Sequence, residues 1–304
     1  MMREKTYILT ATDLSDWAQK AESKGAEITK AIQHAEMLLV NVQEQNGFDV
    51  YATLMARPQD FSQDIIRQKA ESILQESAEQ LAQKEGITVT PIIRFGDVAK
   101  EIRALLNEKK VSLLVIGAHG QGYHFMPILG NIPVKVLQHS PCPVLVIRQQ
   151  ESQFYRRVLI PINFTEISIY QVLQALPFIP KSAEIILMNV CESPSASRLR
   201  FANVTVEILE EYRKKVKHEA ESKIKELIEA IDSERNFSIH VEVGIPHEAI
   251  LKYVKSADID LLVLGKQPRN RLEDYLIGST VHYALNEAEC DVLITPSTMQ
   301  ESDK

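Results

Sequence analysis

Glycine and polar residues follow two apolar runs of the chain, where a ligand could be bound. One passage, GAHGQGYHFMPILGN, begins at Gly117 after VSLLVI, and the other, GKQPRNRLEDYLIGS, begins at Gly265 after IDLLVL. Glycines such as Gly117 and Gly120 permit positive φ and a close approach of the backbone to a ligand. Gly130 and Asn131 open a helix, whose free N–H groups and dipole favour an anion. The first passage is therefore suited to binding an anion such as phosphate.

A purely structural interpretation of the same glycines stays open. Turns between strands and helices need glycine for steric reasons alone, and Asn131 is a good ordinary N-cap residue. The pattern is neither GxGxxG nor GxxxxGK[ST]. It therefore supports neither a Rossmann dinucleotide site nor a Walker P-loop.

The elements that position these loops occur twice in the chain. Five anchors recur at an offset of 148 residues: Asn41 and Asn189, Gly96 and Gly244, Gly117 and Gly265, Gly130 and Gly278, Cys142 and Cys290. Near the start of each half the offset is 150, because Asn163 corresponds to Asp13. We interpret this as a duplication with domains at 1–150 and 151–304, joined by a polar junction at 149–155.

Each copy alternates apolar, β-branched-rich runs with helical patterns. The predicted strands are YILTA, MLLVNV, VTPIIR, SLLVIG and VLVIR in the first copy, then VLIPI, EIILMNV, SIHVEV, DLLVLG and VLIT in the second. Helices are predicted within 57–85, 97–109, 203–234 and 245–257. This alternation predicts an α/β fold of two tandem, doubly wound, five-stranded parallel sheets with right-handed crossovers and strand order 3-2-1-4-5.

Two of the helical segments have a defined apolar face. In 57–85 we expect one face to carry Phe61, Ile65, Ile73, Leu74, Ala78 and Leu81, and Gly86 to end the helix. In 97–109 the corresponding residues are Ile102, Leu105 and Leu106.

The predicted strand order also predicts where a ligand binds. In doubly wound sheets ligands bind beyond the carboxyl ends of the strands, where the strand order reverses. Here that point lies between strands 1 and 4. Asp13 ends strand 1, and Gly117 to Gly120 end strand 4.

The spacing Gly117-x2-Gly120-x9-Gly130, followed by a helix and SPCPVLVI, resembles the nucleotide-binding signature of the universal stress protein family. The sequence DLS at 13–15 resembles the first motif of that family, and Gly96 resembles another. The resemblance covers both halves, so the chain is identified as a tandem universal stress protein. It implies an adenine nucleotide α-hydrolase-like fold and, in the ATP-binding branch, an adenosine phosphate held between strands 1 and 4.

The resemblance implies roles for eight residues: Asp13 and Val42 against the adenine, Gly117, His119 and Gly120 along the ribose and phosphates, and Gly130, Asn131 and Ile132 at the β- and γ-phosphates. The family usually has Ser or Thr where this chain has Asn131. An amide can donate to a phosphate oxygen, but it is bulkier and less suited to a position beside Mg²⁺. ATP, with or without Mg²⁺, ADP and AMP therefore all stay open as ligands.

The second copy departs from the signature. Pro268 stands where the first copy has Gly120, which fixes φ and removes a backbone donor. Asn163 replaces Asp13, while GST at 278–280 is intact. We expect the second copy to keep the fold but to lose the family's ordinary mode of nucleotide binding.

Charge and composition limit the partners. The net charge of −7 argues against nucleic acid, and the acidity lies in the second half, with 18 Lys+Arg and 24 Asp+Glu against 16 and 17 in the first. No run approaches the roughly 18 apolar residues of a membrane helix. The start of the chain lacks a signal-peptide pattern. The three cysteines fit a reducing cytoplasm. Cys142 and Cys290 lie at equivalent positions just before the last strand of each copy, which indicates a role in packing.

Exposed final strands usually need a partner. We expect VLVIR and VLIT to pair with each other within the chain, which would relate the two copies by a pseudo-twofold axis. Further association into a homodimer stays open.

Three functions are compatible with these residues. The first is a cytoplasmic stress-response sensor or regulator that binds an adenine nucleotide in its first half. The second is a scaffold that binds no nucleotide and acts through protein partners. The third is a slow ATPase or an adenylyl-transferring enzyme. It ranks lowest because the sequence shows no activated nucleophile, His119 lacks an orienting partner for general-base chemistry, and no arginine is placed at the first pocket.

Overall fold

The chain folds into two α/β units that meet in sequence between Ser152 and Gln153. A computed structural model describes residues 5–44, 63–119, 131–149, 154–192, 205–231, 234–266 and 278–296. None of the helices in these ranges combines the length and apolar character that a membrane crossing requires.

The first unit alternates strands and helices throughout its described part. In chain order these are β1 (Thr6–Ala11), α1 (Asp16–Ala31), β2 (Ala35–Gln43), α2 (Gln63–Glu85), β3 (Val89–Phe95), α3 (Val98–Glu108), β4 (Leu113–Gly117), α4 (Asn131–His139) and β5 (Val144–Ile147). All the strand pairs are parallel, in the order β3-β2-β1-β4-β5.

The second unit repeats this plan. Its elements are β6 (Arg157–Pro161), α5 (Glu166–Ala175), a short 3₁₀ turn (Leu176–Phe178), β7 (Glu184–Cys191), α6 (Val206–Ala230), β8 (Asn236–Val243), α7 (Pro246–Ser256), β9 (Leu261–Gly265), α8 (Ser279–Glu287) and β10 (Asp291–Thr295). The order β8-β7-β6-β9-β10, again all parallel, is the predicted 3-2-1-4-5. The predicted fold class is confirmed.

Helix α2 packs on the sheet with a narrower face than the sequence predicts. Leu74, Ala78 and Leu81 are buried in one cluster with residues of α1 and β2. Ile73 is 41% exposed, so its assignment to this face is wrong. It is adjacent to Leu74, and consecutive helical residues point about 100° apart. The helix ends as predicted, with Gly86 at φ 70°. Phe61 and the side chain of Ile65 lie outside the described residues.

Helix α3 agrees closely with the sequence. Asp97 caps it by accepting a hydrogen bond from the Lys100 N–H at 3.0 Å. Its apolar face is buried as expected and consists of Ala99, Ile102, Leu105 and Leu106.

The centre of the first sheet brings together segments that are far apart in the chain. Ile8 of β1 pairs with Leu113 of β4, and Thr10 pairs with Val115. The two strands are parallel, so their carboxyl ends open on the same edge of the sheet. The loops after β1 and β4 therefore both begin at the predicted switch point.

Candidate functional site

The turn after β1 is fixed by its own side chains. Asp13 Oδ1 accepts hydrogen bonds from the Ser15 N–H at 3.1 Å and the Ser15 hydroxyl at 2.5 Å. Ser15 in turn caps α1 by accepting from the Ala18 N–H at 3.2 Å. Leu14, between them, has φ 62°, a conformation that costs a residue with a Cβ about 1–2 kcal/mol. The hydrogen bonds on both sides hold this turn in place.

Thr12 connects the turn to the rest of the unit. Its N–H donates to the Val40 carbonyl at 2.9 Å, and its own carbonyl accepts from the Asn41 side-chain amide at 2.8 Å. The Thr12 hydroxyl donates to the half-buried Glu22 of α1. Burial raises the pKa of Glu22, the hydrogen bond from Thr12 opposes this shift, and the charge of Asp13 adds to it. The loop after β1 is therefore anchored to both β2 and α1.

The end of β4 runs close to the start of α1. A Cβ on Gly117 would lie 3.2 Å from the His119 carbonyl oxygen and 3.5 Å from that of Trp17. Gly117 does not adopt the positive φ that glycine permits, since among the described glycines positive φ occurs only at Gly86 and Gly96. The chain instead continues the β5 pairing, with the Ala118 N–H donating to the Ile147 carbonyl at 2.9 Å. Glycine is needed at 117 for close packing.

His119 lies against α1 at this edge. Its ring is 5.1 Å from that of Trp17 in an edge-on arrangement, and Lys20 lies over the Trp17 ring at 3.8 Å. Its Nδ1 is buried and has no hydrogen-bond partner among the described residues. Burial lowers the pKa of His119, and the charge of Arg148 lowers it further. A neutral imidazole with an unused nitrogen can hydrogen-bond a ligand as donor or acceptor.

Arg148 was missed in the sequence. It follows β5, and its charge acts on His119, so the expectation that no arginine lies at the first pocket is wrong. A cation at this edge can attract phosphate groups. Its position follows from the β4–β5 pairing, which is part of the predicted strand order.

The remaining predicted residues lie around the same edge or outside the described part. Val42 is near the carboxyl end of β2, two positions beyond the last residue paired with β1. Helix α4 begins at Asn131, so this residue is the first in the helix and not its N-cap. Ile132 is exposed. Gly120 and Gly130, together with the side chain of Asn131, fall outside the described residues.

The structure thus places Asp13, Gly117 and His119 at adjacent strand ends. The sequence did not indicate the partners that hold them, which are Thr12, Trp17, Glu22 and Asn41. Asn41 alone had a usable signal, since it recurs as Asn189. The others depend on how α1 packs on the sheet.

The second unit keeps the turn without the carboxylate. Asn163 Oδ1 accepts from the hydroxyls of Thr165 and Ser168, each at 2.7 Å. Phe164 has φ 59°, and the Asn189 side chain donates to the Ile162 carbonyl at 2.8 Å. The second unit therefore keeps the backbone turn without Asp13, although Thr165 makes no side-chain cap bond to α5 as Ser15 does to α1.

The second unit differs in what crosses the ends of its central strands. The buried Gln171 of α5 donates from Nε2 to the carbonyls of Pro161 at 3.2 Å and Val263 at 2.9 Å. Its Oε1 would lie 2.8 Å from a Cβ on Gly265. The first unit has only the methyl group of Ala21 at this position. An amide thus bridges β6 and β9 where the first unit leaves β1 and β4 unbridged by α1.

Charged groups at the same edge differ as well. Aligned through the repeat, Ile167, Val172 and Pro296 stand where the first unit has Trp17, Glu22 and Arg148. The charges of Glu22 and Arg148 therefore have no counterpart at the aligned positions of the second unit.

The chain is similar to known proteins along both units. Residues 6–148 and 154–296 each match the universal stress protein family. Universal stress protein YxiE of Bacillus subtilis is 31% identical over 146 residues, which cover 46% of this chain and 97% of that protein.

Two solved structures have a similar fold. A universal stress protein from Archaeoglobus fulgidus gives a TM-score of 0.69 at 20% identity, covering 97% of this chain and 100% of that chain. A functionally unknown protein from Pseudomonas aeruginosa gives 0.65 at 17% identity, covering 96% and 92%.

Proposed function

Because the chain belongs to the universal stress protein family, we propose that its first unit binds an adenine nucleotide between the ends of β1 and β4. The nucleotide is ATP, ADP or AMP, with Mg²⁺ as a companion of the longer phosphate chains. The protein acts as a cytoplasmic stress-response sensor or regulator whose state depends on this occupancy.

The buried Nδ1 of His119 carries this proposal. A buried polar atom without a partner costs about 1–3 kcal/mol, and this atom has none among the described residues. It belongs to the loop that follows β4 at the strand-order switch, where ligands bind in such sheets. A ribose hydroxyl can donate to Nδ1 or accept from it, so it suits either tautomer.

The other residues take the roles that the family resemblance implies. Asp13 and Val42, at the ends of β1 and β2, lie against the adenine. Gly117, His119 and Gly120 line the ribose and phosphates. The N-terminal end of α4 supplies the phosphate contacts through Gly130, Asn131 and Ile132.

Electrostatics favour the first unit for this role. The charge of Arg148 acts at His119, and the equivalent position in the second unit is Pro296. In addition, Gln171 bridges the strand ends of the second unit by hydrogen bonds to Pro161 and Val263. Nucleotide binding is therefore assigned to the first unit alone.

One observation favours a second candidate, a scaffold that acts through protein partners. Helix α5 exposes Ile169, Tyr170 and Leu173, where the first unit has Gln19, Lys20 and Ser23. Exposed apolar side chains grouped on one helix are typical of protein-binding surfaces. This candidate requires no nucleotide.

The test is thermal unfolding of the full chain, freed of bound nucleotide, with Mg-ATP, ADP or AMP. A ligand at 100 times its Kd adds about 2.7 kcal/mol of stability, which raises the Tm of the first unit by several degrees. Gly120→Pro should remove the shift, because proline lacks the N–H and restricts φ. Gly278→Ala is the matched control, since its new Cβ would meet nothing within 4 Å.

The outcomes separate the candidates. A shift that Gly120→Pro abolishes and Gly278→Ala preserves supports the proposal and ranks the three nucleotides. No shift with any nucleotide overturns it and favours the scaffold. A shift lost in Gly278→Ala but kept in Gly120→Pro would move the site to the second unit.

A further inference from the structure

The third strand of each unit lies at an edge of its sheet. Among the described strands, β3 pairs with β2 alone and β8 pairs with β7 alone. Only Val241 is buried in β8, whereas the first four residues of the central strand β9 are all buried. Helix α6 packs on β8, and the ring of His240 stacks with that of Tyr253 of α7, with centroids 4.1 Å apart. The part of β8 left open is therefore its outer edge.

The backbone of β8 bonds alternately toward β7 and toward this open edge. In a strand between parallel neighbours, the N–H and C=O groups of one residue point to the same side, and the side changes with each residue. The Gly244 N–H donates to the Cys191 carbonyl of β7 at 3.0 Å, which fixes the alternation. The residues whose N–H and C=O groups point outward are therefore Phe237, Ile239, Val241 and Val243.

One of these four residues has its outward N–H already bonded. The Val243 N–H donates to Oε1 of Glu242 at 3.2 Å. The outward groups of Phe237, Ile239 and Val241 have no hydrogen-bond partner among the described residues. The unbonded positions are thus arranged symmetrically about Ile239.

The first unit blocks the equivalent edge with a proline. Pro91 of β3 corresponds to Ile239 through the repeat offset of 148 residues. The Gly96 N–H donates to the Gln43 carbonyl at 3.0 Å, so the alternation is the same as in β8 and Pro91 faces outward. Proline has no N–H to donate, and on an edge strand it opposes pairing with another strand. The second unit lacks this block.

A second copy of β8 complements the open edge when it runs antiparallel about a twofold axis at Ile239. Ile239 then faces Ile239 of the second copy, and Phe237 faces Val241 in both directions. Each such pair exchanges two N–H···O=C bonds, so every unbonded outward group gains a partner. A twofold axis at His240 would instead pair Phe237 with Val243, whose N–H is already bonded.

The side chains on the other face of β8 also match in this register. Ser238 faces His240, and its oxygen can accept from the imidazole while its hydroxyl hydrogen is donated to Glu184 at 2.9 Å. Asn236 is exposed and faces Glu242, whose side chain is 45% exposed and can accept from the amide. No two like charges lie directly opposite each other, an arrangement that would oppose pairing.

We propose that the chain forms a homodimer in which two copies of β8 pair antiparallel about a twofold axis at Ile239. The partner is a second copy of this chain, because the unbonded backbone groups and the side chains beside them complement themselves in a single register. The interface belongs to the second unit and does not depend on nucleotide binding by the first.

The experiment is sedimentation equilibrium of the full chain across the micromolar range. Ile239→Pro introduces the residue of the first unit and should raise the dimer Kd at least about a hundredfold, because each copy loses a central donor. The strand should keep its place, since β3 pairs with β2 at Pro91. Ile239→Val is the matched control, which keeps the N–H and should dimerise like the wild type.

Paired cysteines test the register. Ser238→Cys combined with His240→Cys should link two chains under mild oxidation, because directly opposite residues of a non-hydrogen-bonded pair have Cα atoms about 4.5 Å apart. Ser238→Cys combined with Glu242→Cys fits the axis at His240 and should link them less. The wild type, with its free cysteines, measures the background.

Two results would overturn the proposal. One is a chain that stays monomeric throughout the micromolar range and is not linked by the Ser238 and His240 cysteine pair. The other is a dimer that Ile239→Pro leaves intact in protein that unfolds like the wild type, which would place the interface on another surface.

Discussion

The two units build the turn after their first strand in the same way but support it with different helices. Leu14 and Phe164 share a positive φ, and Asn41 and Asn189 hold the same carbonyl position. The turn is thus a property of the fold and does not by itself indicate a ligand. The units differ on α1 and α5. At equivalent positions, Glu22, Trp17 and Ala21 of the first unit correspond to Val172, Ile167 and Gln171 of the second.

The amino-end edge of the sheet also combines a feature shared by both units with residues that differ between them. Both units keep a carboxylate–hydroxyl pair between their second and third strands. The first unit surrounds this pair with aliphatic side chains and Lys109, and the second with stacked rings and Arg157. In both places the shared residues are structural, and the residues around them differ between the units.

The largest expected effect tests the amide bridge of the second unit. Gln171→Ala leaves the carbonyls of Pro161 and Val263 without their donor and creates a small cavity. We expect the second unit to lose about 3 kcal/mol of unfolding free energy, measured by urea denaturation of the full chain. The first unit, which already has alanine at this position, should keep its transition. A loss below about 0.5 kcal/mol would mean that the bridge does not distinguish the units.

A matched pair of variants tests the shared anchor. Asn41→Ala and Asn189→Ala each remove the amide that holds the carbonyl after the first strand, so each unit should lose about 2 kcal/mol. Calorimetric unfolding measures both losses. Only Asn41→Ala should also weaken adenine nucleotide binding. If Asn189→Ala weakens it equally, the assignment to the first unit is wrong.

The smallest effect is a pH dependence of the first unit. Burial raises the pKa of Glu22, against the hydrogen bond from Thr12. The folded state then binds this proton more tightly than the unfolded state, so the associated stability is present below the ordinary glutamate pKa and is lost as the pH rises through the raised value. Glu22→Gln should therefore be more stable than the wild type at neutral pH.

The comparison that checks this is the Tm difference between wild type and Glu22→Gln across pH. The difference should disappear below the ordinary glutamate pKa of 4.5. A difference that stays constant with pH would show that the Glu22 proton is not involved.

The fold could be predicted because its signals are local. The strands of both units are apolar runs, and α3 combines an Asp97 cap with a clear apolar face. Cys142 was expected to be a packing residue, and burial raises the pKa of its thiol to about 12. Ile73 was misplaced because the apolar pattern of α2 is broader than the face that the sheet covers.

The site could be predicted only as far as its loops. The positions of Asp13, Gly117 and His119 follow from strand order alone. The roles of Arg148 and Glu22 depend on contacts between elements that are distant in sequence, and Gly117 is required by the backbone of Trp17. Gly120 and Gly130 stay predictions, as do the pairing of the two units through their final strands and the domain roles.

The pairing of β1 with both β2 and β4 also sets an order of events during synthesis. Ile8 pairs with Met37 on one side and with Leu113 on the other. The first pair closes a short loop and the second a long one, which costs more chain entropy. On a ribosome β1, β2 and β3 are complete well before β4 exists, so the edge that carries His119 forms last. The central strand therefore spends part of synthesis with one side unpaired, a period in which chaperones can bind it.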